Sequence, residues 1–395
     1  MKTNKRLLAV AVAGALAAPS VGFAQGGPTL YGQAHVSVDW LENDFDNSLN
    51  ASNNSSRIGV KGSYDLGGGL DAIYKFEWGV RVTDAASDGS ALSRRNQYAG
   101  LKSDTFGTLF AGRHDTPVKI IGRKVDLFWS TQLGQNRSLT ATEDGGLGFD
   151  QRLDNVIAYV SPNFGPVHAF VLYSTDTGVQ PQDNFSAANP TGYTITDNNN
   201  FDAFSGSLTY DQKSLFTGND RLYISAGWEY HARSNGSQGG LNSAGRLINR
   251  GEEEAIRAGV RYDIGNWAVA GFFQRGKNLG FSNGADRSLF GGGLQYKMND
   301  WVFKGAVYAT GKFKGNNNTK GTLFSGGVDY YFSKQVQLYL QGAGLHQGKR
   351  AGLNENQTLN PNPGFVLGGR GHDDSVQGIA SKTAFGISSG IRVLF

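Results

Sequence analysis

Six histidines (His35, His114, His168, His231, His346 and His372) are scattered through the 395 residues with no helical His-x-x-x-His spacing, and the chain has no cysteine. A zinc site and a thiolate nucleophile therefore have no local source. Gly67-Gly68-Gly69 is a turn rather than a phosphate cradle, because neither Lys-Ser/Thr nor a helix follows it. No Ser/His/Asn constellation stands out, so we expect no catalytic residue, no metal and no cofactor. What the sequence does offer is fixed charge in a repeating pattern. Arg57, Gly59, Lys61 and Ser63 share one parity of a stretch whose other parity holds Ile58, Val60 and Tyr64, and Lys75 takes the polar parity of the next stretch. A guanidinium stays charged at any working pH. Such charges act on a passing solute through their field, without making bonds.

Charges held on one face need a frame with period two. The chain carries 57 glycines together with 6 Trp, 16 Tyr and 24 Phe; glycine costs about 1 kcal/mol at each interior helix position, which argues against a helical protein. No apolar run reaches the ~18 residues of a membrane helix, so an α-helical membrane protein is excluded. Alternation is pervasive instead. Leu70, Ala72, Tyr74, Phe76, Trp78, Val80 and Val82 interleave with Asp71, Ile73, Lys75, Glu77, Gly79, Arg81 and Thr83. Ile256, Ala258, Val260 and Tyr262 oppose Arg257, Gly259, Arg261 and Asp263; Trp301, Phe303, Val307 and Ala309 oppose Lys304, Tyr308, Thr310 and Lys312; Val336, Leu338 and Leu340 oppose Gln335, Gln337 and Gln341. Strands this long with one wet face exceed the ~5–6 residues usual in a soluble sandwich and fit a membrane barrel.

Sixteen such stretches are predicted: 29–41, 55–65, 70–84, 92–103, 108–115, 152–161, 166–176, 202–211, 220–232, 252–263, 267–277, 286–298, 301–312, 320–332, 335–347 and 379–395. Short turns (65–69, 104–107, 162–165, 299–300, 333–334) alternate with long polar connections near 42–54, 116–151, 177–201, 233–251 and 348–376, as in barrels whose hairpins point to opposite sides of a membrane. The expected fold is all-β: a single transmembrane antiparallel barrel of 16 strands, an even number wide enough for an aqueous channel. Trp40, Tyr31, Trp78, Trp267 and Trp301 near strand ends suit interfacial aromatic girdles.

The first residues read as an address. Lys2, Lys5 and Arg6 precede the apolar Leu7 to Ala18, and Gly22-Phe23-Ala24 supplies small residues for cleavage, so 1–24 is expected to be a secretory signal peptide and 25–395 a single barrel domain. Removing those three basic residues leaves 34 of the 37 Lys and Arg against 33 Asp and Glu, which leaves no basic patch for nucleic acid. The last strand carries Phe385, Ile387, Ile391, Val393 and Phe395 on one parity, an ending that recurs in outer-membrane barrels.

Four stretches together resemble the general diffusion porins of Gram-negative bacteria, most closely the neisserial and proteobacterial trimeric group. They are Leu30-Tyr31-Gly32; Ser55-Ser56-Arg57-Ile58-Gly59-Val60-Lys61-Gly62 with Asp65-Leu66-Gly67-Gly68-Gly69-Leu70; Arg95-Asn96-Gln97-Tyr98-Ala99-Gly100-Leu101-Lys102 with Phe106-Gly107-Thr108-Leu109 and Ala111-Gly112-Arg113; and Arg152-Leu153-Asp154-Asn155-Val156-Ile157-Ala158-Tyr159 with Ser161-Pro162-Asn163-Phe164-Gly165. The resemblance implies a homotrimer of 16-stranded barrels in the outer membrane, among lipid and lipopolysaccharide. It also implies a third long loop, here His114–Gln151, folded into the pore. The apolar content of that segment (Val118, Ile120, Ile121, Val125, Leu127, Phe128, Trp129, Leu133) suits packing on the inner wall.

The resemblance further implies a basic wall at Arg57, Arg95 and Arg152, which Lys61 and Lys75 join by parity. Arg94 stays a rival to Arg95, because Ala99 and Leu101 share the parity of Arg95. The acidic side of the constriction is expected from the inserted loop, at Asp126 first, then Glu143 and Asp144, with Asp115 at the loop's base. The loop also carries Lys119, Arg123, Lys124 and Arg137 and lacks the Pro-Glu-Phe-Gly-Gly motif of cation-selective members. The implied function is passive diffusion of small hydrophilic solutes and ions, with a weak preference for anions drawn from the Arg57/Lys61/Lys75/Arg95/Arg152 cluster. Two readings stand beside it: a substrate-selective channel for phosphate or an organic acid, and a barrel acting chiefly as an adhesin or surface antigen.

Overall fold

A computed structural model describes residues 27–83, 91–140, 149–175, 203–232, 252–279, 286–312, 319–349, 365–368 and 375–395. The expected leader lies outside these residues, as do Glu143 and Asp144. In chain order the elements are β1 (Thr29–Glu42), β2 (Asn47–Asn53), β3 (Arg57–Gly67), β4 (Leu70–Val80), β5 (Leu92–Ser103), β6 (Gly107–Asp115), α1 (Pro117–Val125), α2 (Arg137–Thr140), β7 (Arg152–Val160), β8 (Val167–Ser174), β9 (Ala203–Lys213), β10 (Asp220–His231), β11 (Glu253–Ile264), β12 (Trp267–Lys277), β13 (Arg287–Met298), β14 (Trp301–Thr310), β15 (Gly321–Tyr331), β16 (Val336–Gln347), β17 (Val366–Gly368), β18 (Ser375–Gln377) and β19 (Thr383–Leu394).

From β3 to β16 each strand pairs antiparallel with its sequence neighbour, and β19 pairs with both β16 and β1, so the sheet closes. The lower half of β1 pairs with β3 (Thr29 opposite Lys61) and its upper half with β2 (Val36 opposite Asn53). β2 and β3 thus form one stave broken at 54–56, and the barrel has sixteen. This corrects the expectation of a long loop near 42–54, where strand returns after a turn at 43–46. Asn47–Asn53 is polar on nearly every position, so no apolar alternation marks it as a strand.

The apolar parity points outward. Ile256 is 54%, Val307 54%, Leu340 52% and Ile387 53% exposed, whereas the opposite parity holds the buried Arg257, Lys304, Gln337 and Gln341. A face of exposed aliphatic and aromatic side chains around a polar interior is what acyl chains require of a barrel. The girdle reading fits Trp40, Trp267 and Trp301, all at least 39% exposed. Tyr31 departs from it. Its register partner is Gly59, and its hydroxyl donates to Glu77 Oε2 at 2.8 Å, so its ring belongs to the lumen.

The segment between β6 and β7 turns into the barrel. Thr116 caps α1, its hydroxyl accepting from the Lys119 N–H at 3.2 Å, and Pro117 takes the first helical position, where a missing N–H does no harm. Val118, Ile121 and Val125 are at most 1% exposed. They lie on a trough in β10 and β11 that two glycines make possible. A Cβ on Gly227 would stand 3.0 Å from Ile121 Cδ1, and one on Gly259 would stand 2.9 Å from Val125 Cγ1 and 3.0 Å from Ile121 Cγ2. Gly259→Val is therefore expected to lift α1 from the wall and lower stability by about 1–3 kcal/mol, read as a shifted unfolding midpoint in detergent. Beyond α1, Phe128 and Leu133 join Leu41, Tyr308 and Leu323 in one buried cluster, which the β17–β18 hairpin caps with Leu367 and Val376. Strands of three residues are too short to leave a period in the sequence, and that hairpin was not legible there.

Candidate functional site

One side of the lumen, built by β1 and β3–β7, collects the charge. Lys61 and Lys75 are register partners, each with its Nζ 5.5 Å from the centre of the Tyr31 ring. Arg57 donates to Gln33 Oε1 at 3.1 Å. Glu77, on the same parity as Lys75, accepts from Arg95 Nε at 2.7 Å and from Tyr31, with Lys75 Nζ at 3.5 Å. A β-bulge places two residues of β5 opposite Glu77: Trp78 pairs with Arg94 and Phe76 with Gln97, leaving Arg95 and Asn96 between them. Both turn to the lumen, and Arg94 shares the outer face with Trp78, its side chain 69% exposed beside Asp154. The bulge is why simple alternation could not choose between the two arginines.

Asp115, at the last position of β6, is the second acidic centre. Its carboxylate is 1% exposed and meets Lys119 Nζ at 2.8 Å, Arg152 Nη2 at 2.9 Å and Arg123 Nη1 at 3.3 Å. These three partners offset the cost of burying its charge. Burial pushes the Lys119 ammonium down to about 7, with Asp115 opposing the shift. Arg152 also donates from Nε to Asn96 Oδ1 at 2.6 Å, so the bulged residue bridges the two centres. Between them lies a cleft of about 360 Å³ lined by Tyr31, Arg57, Lys75, Glu77, Arg95, His114 and Arg123.

The inserted loop is fastened on the far wall. Arg257 is completely buried; its Nη1 donates to Val118 O at 3.0 Å and to Asp150 Oδ1 at 2.7 Å, and its Nε to Gln274 Oε1 at 2.8 Å. Phe149 stacks on the His231 ring at 5.0 Å, and that ring lies between Glu229 and Glu253, 2.9 Å from each. One guanidinium thus grips the start and the end of the loop together.

A sequence model described as Gram-negative porin matches residues 8–349. The chain belongs to the Gram-negative porin family. Among curated relatives, outer membrane porin protein 32 of Delftia acidovorans is 32% identical over 184 residues, 44% of this chain and 50% of that protein. Major outer membrane protein P.IB of Neisseria gonorrhoeae is 31% identical over 140 residues, 35% of this chain and 36% of that protein. The porin thus spans about half or less of these relatives' length in the matched segments. A solved anion-selective porin from Comamonas acidovorans has the same fold, with a TM-score of 0.69 at 21% identity, covering 94% of this chain and 100% of that one. The porin is a multi-pass β-barrel of the outer membrane.

Of the expected site residues, Arg57, Lys61, Lys75, Arg95 and Arg152 come together on one wall of the porin. Asp126 stands apart from them. It is 5% exposed, and its two oxygens accept the Phe128 N–H at 2.9 Å and the Asn136 N–H at 2.8 Å. Burial pushes its carboxyl up to about 7 against the pull of those two bonds. Its work is to shape the turn after α1, which corrects the expectation of a pore-facing acid there. Glu77 was visible in the sequence only as one polar position among several; its parity with Lys75 was the available signal.

Proposed function

We propose that this porin is a passive, water-filled channel for small hydrophilic solutes and ions, with a weak preference for anions and no catalytic activity. One observation carries the reading. Six cations (Arg57, Lys61, Lys75, Arg95, Arg123 and Arg152) surround two carboxylates, Glu77 and Asp115, at the cleft. Lys119, buried to 9% exposure against Asp115, is left out of that balance. An excess of fixed positive charge at a narrow aqueous passage raises the local concentration of anions and repels cations. The likeness to the anion-selective porin of Comamonas acidovorans supports the same sign. In this reading Glu77 and Asp115 form the acidic side of the constriction.

The reading extends to residues 1–24 as a cleaved leader, 25–395 as the porin domain, and a homotrimer embedded among lipid and lipopolysaccharide. The trimer gains support from the outer face, where Arg113 Nη1 lies 2.5 Å from Asp154 Oδ1 and Arg94 Nη2 3.5 Å from Asp154 Oδ2; charge on that face suits a protein neighbour better than acyl chains. The test is a reversal potential across a planar bilayer in a tenfold KCl gradient. Chloride is expected to pass more readily than potassium, and a potential of the opposite sign would overturn the preference.

A further inference from the structure

Tyr31 is seated as a platform. A Cβ on Gly59 would come within 2.6 Å of the phenol Cζ, so the glycine leaves the room that the hydroxyl end of this ring occupies. The Tyr31 hydroxyl is tied to Glu77 at 2.8 Å, which fixes the ring's rotation. Two ammonium groups, Lys61 and Lys75, lie over the ring, each 5.5 Å from its centre, and Arg57 lines the same cleft. Lys61 is exposed and Lys75 half-buried, so both can meet a solute. A plain field-bearing constriction needs the cations and has no use for a flat, immobilised aromatic surface at their centre.

We infer that Tyr31, Lys61, Lys75 and Arg57 form a stacking site for planar organic anions, with arenecarboxylates as the chemical class. The ring of the solute takes the phenol face over which the two flexible lysines lie, and their ammonium groups, with the Arg57 guanidinium, turn to its carboxylate. The volume of about 360 Å³ is within the range that holds a small organic molecule. This inference rests on the channel reading above and adds a substrate class to it.

The experiment uses the full-length porin in planar bilayers in KCl, with sodium benzoate or sodium cyclohexanecarboxylate added; the two anions match in charge and nearly in size but only the first is planar. Block is scored as a fraction of each variant's own chloride current, so open steps in KCl alone establish the channel separately. Benzoate is expected to reduce the current saturably at millimolar concentration, with a half-blocking concentration about threefold to tenfold below that of cyclohexanecarboxylate, the span that one aromatic pair supplies. Tyr31→Leu should erase that difference, and Tyr31→Phe, which keeps the ring and drops only the Glu77 bond, should retain most of it. Equal block by the two anions in the native porin, or a difference that survives in Tyr31→Leu, would overturn the inference. Absence of any open step in KCl would instead overturn the channel reading.

Discussion

Replacing Arg57, Lys61 and Arg123 together by Glu is expected to turn the proposed ion preference of this porin from anions to cations. The native cleft sets six cations against two carboxylates, and each reversal moves the balance by two charges. Three reversals leave Lys75, Arg95 and Arg152 facing five carboxylates. The three positions are chosen so that neither buried acid is abandoned. Glu77 keeps Arg95 at 2.7 Å and Lys75 at 3.5 Å, and Asp115 keeps Lys119 at 2.8 Å and Arg152 at 2.9 Å. A variant without those partners would confuse selectivity with collapse, because a buried charge left alone costs about 3–5 kcal/mol. The pair Arg57→Glu with Lys61→Glu makes four against four and should abolish the preference. The reversal potential in a tenfold KCl gradient reads both. A triple variant that still forms open channels and still favours chloride would show that the selective charge lies elsewhere along the lumen.

That design depends on distances, whereas the barrel itself could be read from parity. Long strands show one apolar and one polar face because lipid and water each meet one side of a two-residue repeat, and this is why Ile256 and Arg257, adjacent in sequence, end 54% and 0% exposed. The same rule placed Arg57, Lys61 and Lys75 on one wall. It failed where the repeat itself breaks. The bulge opposite Glu77 puts Arg95 and Asn96 on the same side, a two-against-one arrangement that residue types do not announce. It also failed at Asp126, since an acid in a loop reads alike whether it faces a pore or accepts two backbone N–H groups. Tyr31 reads as a membrane-interface residue because aromatic residues near strand ends usually belong there; its parity with the buried Gln33 and His35 points to the lumen, and the parity wins.

Arg257→Leu is expected to lower the stability of the porin by about 3–5 kcal/mol and to loosen the inserted loop at both ends. Asp150 and Arg257 are each fully buried, with 2.7 Å between Oδ1 and Nη1. Once the guanidinium is gone, the Thr140 hydroxyl, 3.0 Å from Oδ2, is the hydrogen-bond donor that Asp150 keeps among the described residues, and an uncompensated buried charge is the expensive part of breaking such a pair. The Val118 carbonyl and the Gln274 amide oxygen each lose the hydrogen bonding they take from Arg257 in the same step. Removing the charge from both sides, Arg257→Leu with Asp150→Leu, should recover much of the loss, because a buried ion pair exchanged for apolar groups is often nearly neutral. The difference between single and double variants separates the stranded charge from the missing volume. Urea unfolding midpoints in detergent measure the stability. Single-channel recordings report the loop: an unlatched segment should give larger and noisier open currents in the single variant than in the double. If the two variants unfold together and conduct alike, the loop is held by the apolar seat of α1 on Gly227 and Gly259, and the arginine latch is incidental.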